Sequence, residues 1–191
     1  MSKYLYIFVL GLLSVFSVQG KPILDKIKGK PYHFAFMITN PLSGYSKFGG
    51  MLEIRAKQNS VVLGATDYYG GYNGLKYNLE YQHYIPTIYR NESFWYLKVI
   101  GGSAQYNAEK LSLITNDQSK EIFGPYDFVG AGFGYGRRWN FNKTFIMCNI
   151  GLKYTKITSD ISDEVYDRFR VFYMTGPGSV FELNFRFGFQ R

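Results

Sequence analysis

The side chains best placed to do chemistry in this 191-residue chain are charges rather than nucleophiles. Glu53, Arg55, Glu80, Lys98, Lys153, Glu182 and Arg186 each stand on the polar side of a segment in which polar and apolar residues alternate. Acids and bases arranged in this way can pair with one another, and a charge removed from water is tolerated only when it is paired and hydrogen-bonded. Arg186 is expected to hold Glu182 or another of the acids. The set therefore reads as a salt-bridge network filling a narrow interior, or as a thin ion path through the same groups. Candidates for catalysis are fewer. His33 and His83 are the two histidines of the chain, and such residues are more often structural or interfacial than catalytic. Asp67 is followed by Tyr68 and not by a serine. Two histidines and the single Cys148 do not make a metal-ligand pattern, so neither a metal nor a cofactor is expected. The run GAGFGYG at 130–136 has the outline of a dinucleotide fingerprint but lies within a strand pattern and opens no helix, which removes that reading.

The elements that must position these groups are strands. In VFELNFRFGFQR, Val180 to Arg191, the residues Phe181, Leu183, Phe185, Phe187 and Phe189 share one parity. Glu182, Asn184, Arg186, Gly188 and Gln190 share the other. Side chains of a strand alternate between faces, so this is a ribbon with one apolar and one polar side. Its length matches the roughly ten residues with which a tilted strand crosses a bilayer. Seven earlier segments repeat the pattern: Tyr32 to Thr39, Lys47 to Lys57, Val61 to Tyr69, Leu75 to Ile85, Phe94 to Ala104, Tyr126 to Arg138 and Thr144 to Thr155. In the sixth, Val129, Ala131, Phe133 and Tyr135 oppose Gly130, Gly132, Gly134 and Gly136. The sequence thus predicts an all-β fold, an eight-stranded antiparallel up-and-down transmembrane β-barrel.

The connections follow the same logic. Gln58-Asn59, Pro86 to Ser93 and Trp139 to Lys143 are the short, even-numbered links. Gln105 to Pro125 and Lys156 to Ser179 are the longest, and both are odd-numbered. Short periplasmic turns and long extracellular loops are the pattern of outer-membrane barrels. The segment RVFYMT, Arg170 to Thr175, is a candidate for an extra strand or a strand extension. On this topology His33 falls at the periplasmic end of strand one and Asp67 near the extracellular end of strand three, about a membrane thickness apart.

Composition agrees. Aromatics make up 19%, with 18 Tyr, 17 Phe and 21 Gly, a mixture suited to β-structure. The mean hydropathy of −0.17 is what a barrel gives when half of each strand is polar. Lys3 followed by the apolar run Tyr4 to Val18, then Val18-Gln19-Gly20, is the layout of a secretory signal peptide over 1–20. A barrel domain over 21–191 follows, with a short periplasmic lead at 21–31. The net charge of +8 is spread over the chain without a Lys/Arg cluster, and export makes nucleic acid an unsuitable partner. The outer-membrane lipids, and other outer-membrane proteins, are the expected partners. Cys148 lies among Ile146 and Ile150 and reads as a small lipid-facing side chain.

The alternating segments VGAGFGYGRRWNFNKTFIMCNIGLKY at 129–154 and FELNFRFGF at 181–189, with aromatics near strand ends at Tyr32, Tyr81, Trp95, Tyr135, Trp139 and Tyr154, carry a resemblance. The chain resembles small bacterial outer-membrane β-barrel proteins of the OmpA-membrane-domain and OmpX type. The resemblance is architectural. It implies the barrel fold and the cell outer membrane and leaves function open. Such proteins often end in an aromatic residue, whereas Phe189 here is followed by Gln190 and Arg191. The reading that follows is a non-enzymatic barrel with a structural or interaction role, free-standing or an accessory subunit of a larger outer-membrane complex. Two alternatives belong to other classes: a barrel acyltransferase of the PagP type, which would use His, Asp and Ser, and a narrow ion-conducting pore.

Overall fold

Eight strands account for the fold, in the order β1 Tyr32–Thr39, β2 Lys47–Ala56, β3 Asn59–Tyr68, β4 Tyr72–Pro86, β5 Asn91–Asn107, β6 Ile122–Asn140, β7 Thr144–Ile157 and β8 Phe181–Gln190. The computed structural model describes residues 32–39, 47–68, 72–86, 91–107, 122–159 and 178–190. The segments read as signal peptide, as N-terminal lead and as RVFYMT lie outside the described residues. Each strand pairs antiparallel with the next, and β8 returns to β1 along a register from His33↔Gln190 to Thr39↔Asn184. The sheet is a closed barrel, so neither β1 nor β8 is left as an edge.

The strands form where the alternation predicts, and their ends differ. The turn between β2 and β3 is Lys57-Gln58, since Ala56 pairs with Asn59; it lies one residue before the expected Gln58-Asn59. Lys57 takes the left-handed conformation with φ 57, so backbone geometry there is set by strand pairing rather than by a glycine. The β4–β5 hairpin is longer than its apolar alternation. It runs down to Pro86↔Glu92, leaving 87–90 between the strands in place of Pro86 to Ser93. The β5–β6 ladder continues to Asn107↔Ile122, with an irregularity between Ala104 and Tyr106. Gln105 and Ile122 to Pro125 therefore belong to strands rather than to the long connection. Polar residues can extend a ladder because backbone pairing does not depend on side-chain polarity, and alternation becomes unreadable there.

The alternation is resolved into an inside and an outside. On β8, Phe181 is 71% exposed and Phe187 46%, while Glu182 and Arg186 are 1% and 2% exposed. Across the barrel the outward set includes Phe36, Phe48, Leu63, Tyr77, Leu97, Phe133, Ile150 and Tyr154. A soluble protein hides such residues and exposes its charges; here the assignment is reversed. The interior also holds an apolar layer that the charge pattern did not announce: Ala35, Met51, Val62, Tyr84, Phe94, Tyr96, Phe145 and Met147 pack as one cluster. The glycines of β6 make room for it. A Cβ on Gly134 would lie 2.6 Å from Tyr96 Cζ, and one on Gly136 would lie 2.7 Å from Phe94 Cε1. Large rings on β5 thus depend on absent side chains on β6, the strand beside it.

Candidate functional site: the filled lumen

Every pair of opposite strands in an eight-stranded ring is four apart, and the interior has width for side chains alone. The inward charges use that geometry as struts. At the end with the short turns, Arg55 on β2 meets Glu92 on β5 through two bonds, Nη1 to Oε2 at 2.7 Å and Nη2 to Oε1 at 2.5 Å. The Asn140 amide donates to the same carboxylate at 2.9 Å. Arg55 is half-buried there and also caps the Tyr84 ring, 3.9 Å from its centroid.

One layer deeper, Glu53 on β2 receives Arg138 Nη1 from the opposite strand β6 at 2.7 Å and Tyr84 O–H from β4 at 2.9 Å. His33 Nδ1 lies 3.0 Å from the same carboxylate and 3.1 Å from Arg138 Nη2. The Arg138 guanidinium stacks on Phe145 at 3.9 Å. Arg138 and Glu53 are both fully buried. Tyr84 then links this layer to the next: its oxygen is 2.8 Å from Gln82 Oε1, and Gln82 Nε2 donates to Glu80 Oε1 at 2.5 Å.

Glu80 on β4 is gripped from the opposite strand β8 by Arg186, Nη2 to Oε2 at 2.7 Å and Nη1 to Oε1 at 3.1 Å. The fork matches a carboxylate in two places and fixes its plane as well as its charge. Beyond it, Glu182 on β8 takes Lys76 Nζ from β4 at 3.1 Å. Lys98 from β5 contacts the other oxygen of Glu182. Nearer the end of the long connections, Tyr68 and Phe128 meet edge to face across the barrel, 6.3 Å apart.

Six of the seven charges singled out in the sequence, Glu53, Glu80, Lys98, Lys153, Glu182 and Arg186, are inward and buried. Arg55 is inward at the mouth. The structure joins Arg186 to Glu80, whereas Glu182, four residues earlier on the same strand, belongs to two lysines. Sequence reasoning missed Lys76, Arg138, Glu92 and His33 as members of the network. Lys76 shares a parity with Glu80 and was legible on that signal. Arg138 sits at the end of its strand beside Trp139, and Glu92 follows Pro86, so both had the setting of a turn. Of the acyl-transfer candidates, His33 points inward at the short-turn end, and Asp67 is exposed on the outer side near the other end.

The outward apolar face and the strutted interior define a class of architecture, the small closed antiparallel barrel with an inverted distribution of polarity. No family model matches the sequence, and no curated protein matches it. Among solved structures the chain is similar to the N-terminal β-barrel domain of Pseudomonas aeruginosa OprF. There the identity is 11%, the match covers 84% of this chain and 97% of that one, and the TM-score is 0.58. It is also similar to Neisserial surface protein A, NspA, at 9% identity, over 84% of this chain and 94% of that one, with a TM-score of 0.47. The likeness to the OprF domain is one of fold, that of the small outer-membrane barrels.

Proposed function

We propose that this chain is a non-enzymatic outer-membrane barrel with a structural or interaction role. In this reading the strands span the lipid, and the short turns face the periplasm. The long connections reach the cell exterior, where they contact a partner protein or the surface lipid layer. The observation that carries the reading is the reversal of polarity: Phe36, Phe133, Tyr154 and Phe181 are more than half exposed while Glu53, Glu80, Glu182, Arg138 and Arg186 are buried. An apolar belt around a closed sheet is stable in hydrocarbon, because a barrel leaves no backbone edge unsatisfied. The lumen supports a structural role. Arg138–Glu53 and Arg186–Glu80 join opposite walls, and Tyr84, Phe94, Tyr96 and Phe145 fill the space between them. A steady conductance would have to pass through these struts.

The test is fractionation of the natively expressed protein, followed by purification in mild detergent. The expected result is recovery with outer membranes, as a band whose mobility shifts on heating, and partners that are lost when either long connection is trimmed. Recovery as a soluble periplasmic protein would overturn the membrane reading. Transfer of an acyl chain to lipid, abolished by His33→Ala, would establish the enzyme alternative.

A further inference from the structure

Among the described residues, the outer face of the barrel carries a polar side-chain cluster with a defined hydrogen-bond order. Asn59 on β3, His83 on β4, Trp95 on β5 and Tyr135 on β6 are successive cross-strand partners, Asn59↔His83, His83↔Trp95 and Trp95↔Tyr135. They form a row beside the Lys57-Gln58 turn. Asn59 Oδ1 accepts twice, from Tyr81 O–H at 2.8 Å and from His83 Nδ1 at 2.8 Å. With the amide oxygen so placed, the contact selects the tautomer in which His83 Nδ1 carries the hydrogen and Nε2 keeps a lone pair. His83 stacks on Trp95 with centroids 5.4 Å apart, and Tyr81 tilts against Trp95 at 5.6 Å. Asn59, Tyr81 and Trp95 are exposed. Aromatic belts sit at the headgroup level; here the two bonds also orient the histidine ring and the amide.

We propose that this row is a binding site for an ammonium-bearing phospholipid headgroup, of the phosphatidylethanolamine type, in the leaflet at the short-turn end. The headgroup ammonium donates to His83 Nε2 and rests against the electron-rich faces of Tyr81 and Trp95. The lipid phosphate accepts from the Asn59 amide Nδ2, with the exposed Lys57 in the adjoining turn as its counter-charge. A trimethylated headgroup has no N–H to donate and retains the cation–π part alone. An anionic glycerol headgroup lacks the ammonium altogether. The site therefore orders three lipids by headgroup chemistry with identical acyl chains.

This inference rests on the membrane reading above. The experiment is native mass spectrometry of the intact barrel released from vesicles containing equal amounts of phosphatidylethanolamine, phosphatidylcholine and phosphatidylglycerol. The expected result is retention of phosphatidylethanolamine over phosphatidylcholine by about fivefold, the worth of one net hydrogen bond, with phosphatidylglycerol retained least. His83→Phe, which keeps an aromatic ring, and Asn59→Leu should each bring phosphatidylethanolamine down to the level of phosphatidylcholine. Phe189→Ala, elsewhere on the outer face, should lower retention of all three lipids alike. Equal retention of phosphatidylethanolamine and phosphatidylcholine by the native protein, or a preference between these two that survives His83→Phe, would overturn the site while leaving the membrane reading intact. A barrel that folds but never enters the vesicles would overturn both.

Discussion

Two carboxylates in the same lumen are held in opposite ways. Glu53 is surrounded by groups of different kinds: a guanidinium, an imidazole and a phenol, on three other strands, each with a preferred direction. Glu182 is surrounded by two ammonium groups, Lys76 and Lys98. A guanidinium offers a planar fork and a phenol a single O–H, so the Glu53 layer has few arrangements that satisfy all its members. An ammonium is a point charge with rotatable donors on a long flexible stem, so the Glu182 layer can shift without breaking. The first arrangement locks opposite walls in register. The second neutralises a charge and leaves the walls some freedom. Because the barrel narrows to side-chain width throughout, the difference lies in donor chemistry rather than in space.

The comparison breaks most visibly at its rigid end. Replacing Glu53 by Leu leaves Arg138 buried opposite an apolar side chain and takes one partner from His33 and one from Tyr84, which keeps Gln82. The expected loss is about 4 kcal/mol or more, read from urea unfolding of the barrel in detergent or vesicles. Combining it with Arg138→Met should recover a large part of that loss, because a buried pair replaced by apolar groups costs far less than a broken one. A double variant as unstable as the single one would show that the strut itself, and not the orphaned charge, matters. Next in size is Arg186→Leu, which orphans Glu80. We expect about 3 kcal/mol, moderated because Gln82 still donates to the carboxylate.

What the sequence disclosed and what it hid follow the same division between strand faces and strand ends. The outward row Phe181, Phe185, Phe187 and Phe189 and the inward row Glu182, Asn184 and Arg186 were readable because parity assigns each residue to a face. Closure and the short-turn/long-connection order followed from strand number and link length. Pairing was not readable. Glu80 and Arg186 are 106 positions apart, and parity states that both point inward without stating their height in a tilted, staggered barrel. Glu182 looked like the neighbour of Arg186 because sequence proximity stood in for height. Arg138 and Glu92 were hidden because strand ends carry polar residues on both parities. The apolar layer around Phe94 and Tyr96 was written in a more indirect signal, the glycines at 134 and 136 that these rings overlie. A row of glycines on the inward parity signals a crowded interior, but nothing in it names the rings.

The flexible end of the comparison predicts a smaller effect. Lys76→Met removes one of the two ammoniums on Glu182 and leaves the carboxylate in contact with Lys98. It also relieves the repulsion between two like charges held against one acid. The expected cost is about 1 kcal/mol, measured in the same unfolding assay. A loss as large as that of Arg186→Leu would mean that both ammoniums are required in fixed positions, and the distinction between a locked and an adaptable layer would fall.

The smallest effect is expected on the outer face, where Phe185→Leu sits one residue from Arg186 and points the other way. Phe185 is 41% exposed and Arg186 2%, so adjacent positions on one strand test the two sides of the wall. In a lipid surround, a phenyl and an isobutyl group meet similar hydrocarbon, and no cavity is left because lipid chains fill the difference. The change should stay within about 0.5 kcal/mol. If instead Phe185→Leu destabilised the barrel more than Arg186→Leu, the apolar face would be the packed interior and the charged face the solvated one. That ranking alone would invert the architecture, since pairing, register and closure are the same for either sense of the wall.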